Sequence, residues 1–118
     1  MKLVLLSRDL MLTSRVDGVA TQKGFATIHA ADHVGAVAAA KDDDCQILFV
    51  DLQLPGLDIN ALVNGVREKA SREVRIVACG PHVHEHRLAA AREAGCDQVV
   101  TRGQFDREAD TILEVTKT

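Results

Sequence analysis

Polar and apolar positions along the chain alternate between two rhythms. Lys2-Leu-Val-Leu-Leu-Ser7 is a short unbroken apolar run that meets charge at Arg8 and Asp9, the pattern of a strand buried on both faces. Across residues 8–23, Leu12, Val16, Val19 and Ala20 recur at helical spacing, and Gly24 supplies a stop signal. Residues 25–29 have strand character. Asp32 is a candidate N-cap for a helix through Val34, Val37, Ala38 and Lys41. The acidic run Asp42-Asp-Asp44 opposes the dipole at that helix's C-terminus, so the helix is expected to end near Ala40 or Lys41.

Gln46-Ile-Leu-Phe-Val50 is the clearest buried strand, and it delivers Asp51 at its C-terminal end. Leu52-Gln-Leu-Pro-Gly56 reads as a turn. A helix is predicted from about residue 58, with Ile59, Leu62, Val63 and Val66 on one face. Residues 74–79 form a fourth strand, stopped by Gly80-Pro81. A helix over about residues 84–94 is closed by Gly95, residues 98–101 are a short fifth strand, and a last helix over about residues 104–115 aligns Phe105, Ala109, Ile112 and Val115. Strand and helix thus alternate throughout with short connections. Right-handed crossovers then require a parallel sheet covered by helices on both faces, with the doubly wound order 2-1-3-4-5. In such sheets the working crevice lies beyond the carboxyl ends of strands 1 and 3. Ser7, Arg8, Asp9, Asp51, Gly80 and Arg102 all fall at or just past strand ends, so chemistry belongs there.

Composition narrows the possibilities. With 118 residues, 47% of them apolar, the chain can bury a core but has little room for a second domain, so one domain over residues 1–118 is expected. Aromatic residues are only 3%, which leaves Val, Leu, Ile and Ala to fill a sheet packed by Ala-rich helices. The net charge of −3 comes without any basic stripe, which argues against nucleic-acid binding. Apolar runs such as Leu3 to Leu6 are too short for a membrane span or a signal peptide. Three cysteines without CxxC spacing read as reduced, mostly buried thiols, and the chain is expected in the cytoplasm.

Three blocks carry a family resemblance: residues 2–9, residues 47–58 with their strand-Asp-x-x-x-Pro-Gly-x-Asp pattern, and Ala90-Ala-Arg-Glu-Ala-Gly-Cys-Asp97. Together they resemble the receiver domains of two-component response regulators. The resemblance implies a flavodoxin-like three-layer αβα sandwich with Asp51 at the phosphoacceptor position. It also implies a Mg²⁺ site completed by an acidic pair after strand 1, a Ser or Thr ending strand 4, and a Lys ending strand 5. Moving a phosphoryl group onto a carboxylate brings anion to anion, so a cation and a Lys must offset the developing charge.

Measured against that pattern, only Asp51 matches. Ser7 and Arg8 stand at the acidic-pair positions, Gly80 (or Cys79 in the neighbouring register) at the hydroxyl position, and Arg102 followed by Gly103 at the Lys-Pro position. Arg8 is expected to pair with Asp51 in place of a metal, at about 1–3 kcal/mol, and Mg²⁺ binding is expected to be weak or absent. Asp9 reads as an N-cap of the first helix in preference to a metal ligand. His82, His84 and His86 read as solvated, since alternate residues on a helix point apart. The chain carries no P-loop, no dinucleotide-binding glycine pattern and no nucleophile elbow.

The leading expectation is an atypical, non-enzymatic receiver that binds a protein partner, or itself, through the face formed by helix 4, strand 5 and helix 5. One alternative is a genuine phosphoacceptor served by a histidine kinase, with Arg102 acting for the Lys. Another is a small-molecule sensor using the Gly80-Pro81 notch.

Overall fold

The structure, a computed structural model, describes residues 1–70 and 73–114. Ten elements follow one another in strict alternation: β1 (Lys2–Leu6), α1 (Leu10–Gln22), β2 (Ala26–Ala30), α2 (His33–Ala40), β3 (Cys45–Asp51), α3 (Ile59–Lys69), β4 (Arg75–Gly80), α4 (Glu85–Ala94), β5 (Gln98–Thr101) and α5 (Arg102–Ile112). The five strands form one sheet in the order β2-β1-β3-β4-β5, and all four pairings are parallel. This is the architecture the hydrophobic pattern predicts.

The two-residue period of the strands sorts their side chains into two cores. Val4 and Leu6, Leu48 and Val50, and Ile76 and Ala78 face one way and pack against α2, α3 and α4. Leu3 and Leu5, Ile47 and Phe49, and Val77 and Cys79 face the other way, beneath α1 and α5. The central strands are buried on both faces, which is why they read as unbroken apolar runs. Edge strand β2 is largely half-exposed. Asp51 continues the Ile47–Phe49 series, so it belongs to the α1/α5 side at the carboxyl end of the sheet.

Helix boundaries follow from caps. Asp9 accepts hydrogen bonds from the Met11 and Leu12 amides to start α1, Asp32 from Gly35 to start α2, and Asp58 from Ala61 to start α3. Gly95 closes α4 at φ 98°, a left-handed conformation natural to glycine. The start of α5 differs from expectation by two residues. Thr101 accepts from the Gln104 amide while the Gln104 side chain accepts from the Thr101 amide. This reciprocal capping box begins the helix at Arg102 instead of residue 104. Phe105, Ala109 and Ile112 are buried as predicted, while Val115 lies outside the described residues. No described helix is long and apolar enough to cross a membrane.

Phe49 on β3 and Phe105 on α5 meet edge to face, with ring centroids 5.1 Å apart, and both are fully buried. This contact fastens α5 to the sheet one turn below the crevice. Replacing a buried phenylalanine by alanine removes apolar area and leaves a cavity. Phe105→Ala is therefore expected to lower unfolding stability by about 3–5 kcal/mol, read as a lower urea midpoint with the slope unchanged.

Candidate functional site

Ser7 follows β1, and Asp51 ends β3, the strand beside it in the sheet. The Asp51 carboxylate is 2% exposed, the one buried charged residue among those described. A buried carboxylate must be paired and hydrogen-bonded to avoid a large desolvation cost. Three groups meet that need. The Ser7 hydroxyl donates to Oδ2 at 2.8 Å, and the Gln53 backbone N–H donates to Oδ1 at 2.9 Å. The Arg102 guanidinium stands 4.0 Å from Oδ1.

Arg102 is the hub of the crevice. Its Nη2 donates to Asp9 Oδ2 at 2.8 Å and to Gln53 Oε1 at 3.0 Å. One guanidinium thereby joins the loop after β1, the loop after β3 and the first turn of α5. Asp9 works at both of its oxygens: Oδ1 caps α1, and Oδ2 holds Arg102. The Asp9 amide in turn donates to the Ser7 hydroxyl at 3.1 Å, which closes the circuit. The hydrogen bond from Arg102, with those from the Leu12 and Met11 amides, holds the Asp9 carboxyl below its ordinary value. Burial would lower the Arg102 pKa, but Asp9 and Asp51 outweigh it and raise the net value.

The expected Arg8–Asp51 pair is replaced by this arrangement. Arg8 is exposed and forms no ion pair with Asp51. The reason is the alternation of extended backbone after β1: Ser7 turns inward to Asp51, Arg8 outward, and Asp9 back inward to Arg102. The crevice thus holds two carboxylates against one guanidinium, not the balanced set that the sequence suggested. The remaining compensation comes from the Ser7 hydroxyl, the Gln53 amide and the positive end of α1.

The acidic donors of the crevice are engaged within the chain. Both Asp9 oxygens are engaged, and Asp51 shares its Oδ1 side with Arg102. Among the described residues no three His, Cys, Asp or Glu side chains are grouped to hold a metal. His82 and His86 are exposed and His84 is half-buried as the N-cap of α4.

At the end of β4, Gly80 leaves no vacancy where a side chain would stand. A Cβ there would lie 3.3 Å from Leu52 Cβ, 3.4 Å from Leu52 Cδ1 and 3.6 Å from Leu88 Cδ2. Leu52, itself buried, fills that space. Cys79, whose backbone pairs with Asp51, is buried, and burial pushes its thiol up to about 12, against the opposing pull of Arg102. An inert thiol follows. The sequence reading overlooked Gln53 and Leu52. Gln53 carries no motif signal, and Leu52 lies in the turn-forming stretch 52–56, meeting Gly80 only because the ends of β3 and β4 lie side by side.

Known proteins place the fold. No protein-family model matches the chain, and no curated protein matches it in sequence. Solved structures do. The receiver domain of a sensor histidine kinase from Pseudomonas aeruginosa, with a magnesium ion coordinated in its active-site cleft, superposes with a TM-score of 0.79 at 19% identity, covering 95% of this chain and 93% of that one. The receiver domain of TorR, the response regulator of the TMAO respiratory system, gives 0.79 at 20% identity over 95% and 92%. That of NtrX from Brucella abortus gives 0.74 at 22% identity over 97% and 99%. The chain therefore has the receiver fold, five parallel strands in the order 2-1-3-4-5 between two layers of helices.

Two outcomes are expected from this geometry. Because the folded pKa of Asp9 lies below the unfolded value of about 3.9, the Asp9–Arg102 pair contributes stability that is present above that pH. The contribution is lost as pH falls through the lower folded value. Urea unfolding measured across that acid window should show a shallower pH dependence in Arg102→Gln than in the native chain. Second, Gly80→Ser should cost about 1–3 kcal/mol through overpacking. In a double-mutant cycle with Leu52→Ala, the combined loss should fall short of the sum by about 1 kcal/mol or more.

Proposed function

We propose that the chain is an atypical receiver: a signalling module that works through protein contacts, without the Mg²⁺-dependent phosphoryl cycle and without enzymatic activity. The observation that carries this reading is the placement of Arg102. Its guanidinium is hydrogen-bonded to Asp9 at 2.8 Å and stands 4.0 Å from Asp51, in the space where a cation would otherwise offset the carboxylates. The buried position of Asp51, with both oxygens hydrogen-bonded, disfavours attack on a phosphoryl donor. At the end of β4, Leu52 fills the room that a hydroxyl side chain would need.

The same geometry supports the face of α4, β5 and α5 as the one a protein partner reads. Arg102 is the first residue of α5, and Arg87 on α4 donates from Nη1 to the Leu52 carbonyl at 3.2 Å. Both helices are thus tied to residues flanking Asp51. The outward side chains there, among them Glu85 and Arg92 on α4 and Arg107 and Glu108 on α5, suit a polar protein contact. Occupancy of that face, set by partner concentration, takes the place of phosphorylation as the regulating variable. A histidine kinase is one candidate partner by virtue of the fold.

Incubation with acetyl phosphate and Mg²⁺ followed by intact mass measurement is expected to show no added phosphoryl group, and titration calorimetry no Mg²⁺ binding at millimolar concentration. A phosphoryl adduct that disappears in Asp51→Asn would instead make the chain a working phosphoacceptor.

A further inference from the structure

The loop after β3 and helix α4 enclose a cavity of about 260 Å³, close to the lower end of the range for small-molecule sites, about 300–1,000 Å³. Leu52, Leu54, Leu57 and Ile59 line it from the loop and the start of α3, and Ala90 and Arg87 from α4. The loop wall is built within the chain. The Leu54 amide donates to the Asp51 carbonyl at 3.1 Å, and the Leu57 amide donates to the Leu54 carbonyl at 3.2 Å. Between them Gly56 takes φ 75°, a left-handed conformation that lets the chain fold back. Leu52 is packed against Gly80. Leu52 and Leu54 belong to the core beneath α2, α3 and α4, whereas Asp51 faces α1 and α5, so this cavity is separate from the Asp51 crevice.

We infer that this cavity binds a small organic carboxylate with an apolar body, and that Arg87 receives the carboxylate. Charge sets the class of ligand. No Asp or Glu lines the cavity, and Arg87 is its one permanently charged side chain. Arg87 is exposed, its Nη1 donates to the Leu52 carbonyl at 3.2 Å, and no carboxylate pairs with it among the described residues. A guanidinium carries five N–H donors in a planar fork. The edge formed by Nε and Nη2 therefore holds a carboxylate through two parallel hydrogen bonds while Nη1 keeps Leu52. The leucines, Ile59 and Ala90 take the apolar body out of water. A cationic ligand is repelled by Arg87, a neutral one leaves the fork unused, and inorganic phosphate leaves the apolar lining uncovered. Binding fastens the loop that follows Asp51 to α4, which gives the α4, β5 and α5 face an input other than phosphorylation. That use of the site rests on the atypical-receiver reading, whereas binding itself does not.

The test follows backbone amide chemical shifts of the whole chain during titration with four probes: 3-phenylpropionate, hexanoate, the neutral 3-phenylpropionamide and inorganic phosphate. At least one of the two carboxylates is expected to bind with a Kd of about 1 mM or tighter and to move the amides of residues 52–59 and 86–90. The neutral amide should bind about tenfold or more weakly than its acid, and phosphate should leave those residues unmoved. Arg87→Gln should abolish the preference for acid over amide. Ala90→Phe, which sets a ring in the cavity without changing charge, should weaken both ligands. Three results would overturn the inference: neither carboxylate moving those amides at about 10 mM, acid and amide binding alike to the native chain, or shifts gathered at Asp9 and Arg102 instead. Labelling by acetyl phosphate reports on Asp51 alone, so failure of this site and failure of the atypical-receiver reading are read separately.

Discussion

A carboxylate at the end of a central strand, cut off from solvent, must be offset by groups that reach it there. At Asp51 that requirement is met by a hydroxyl, an amide and the guanidinium of Arg102, and the third of these organises the rest. Arg102 touches the loop after β1 through Asp9 and the loop after β3 through Gln53, while its own backbone begins α5. Remove the guanidinium and two acids are left in the crevice, with Asp9 at the head of α1 no longer tied to the first residue of α5. Hydrogen bonds to charged groups are typically worth about 1.5–3 kcal/mol; here several of them share one cation, so they stand or fall together.

That dependence reaches back to the capping of α5. Thr101 and Gln104 satisfy each other's amides and thereby bring Arg102 into the helix as its first residue. A helix beginning two residues later would leave Arg102 in a loop, free to turn toward solvent. A local backbone device, set by a threonine and a glutamine three apart, therefore fixes the cation of the site. The Phe49–Phe105 contact then holds the same turn down on the sheet.

The fold was legible because its strands are buried on both faces and its helices are apolar on one. Runs such as residues 46–50 admit few other readings, and the caps at Asp32, Asp58 and Gly95 stand where the chain's polar punctuation puts them. Which side chains would gather around Asp51 was legible in outline only. Ser7, Asp9 and Arg102 are brought together, as strand-end positions require. Arg8 is not, because adjacent residues of an extended segment point to opposite sides and the sequence alone left open which of the two turned inward. The partners missed altogether, Gln53 and Leu52, act through a backbone amide with a side-chain carbonyl and through shape. Neither leaves a pattern along the chain until the strands are laid side by side.

The packing of Leu52 on Gly80 also bears on how the site can change. A large residue at one strand end meets a small one at its neighbour, so the two positions constrain each other. A hydroxyl side chain at position 80 would press on the leucine, and a leucine that shrank alone would leave a void, so the two positions change comfortably only together. Leu52 is in that sense a ratchet: a single well-packed methyl cluster that makes the present site easier to keep than to leave.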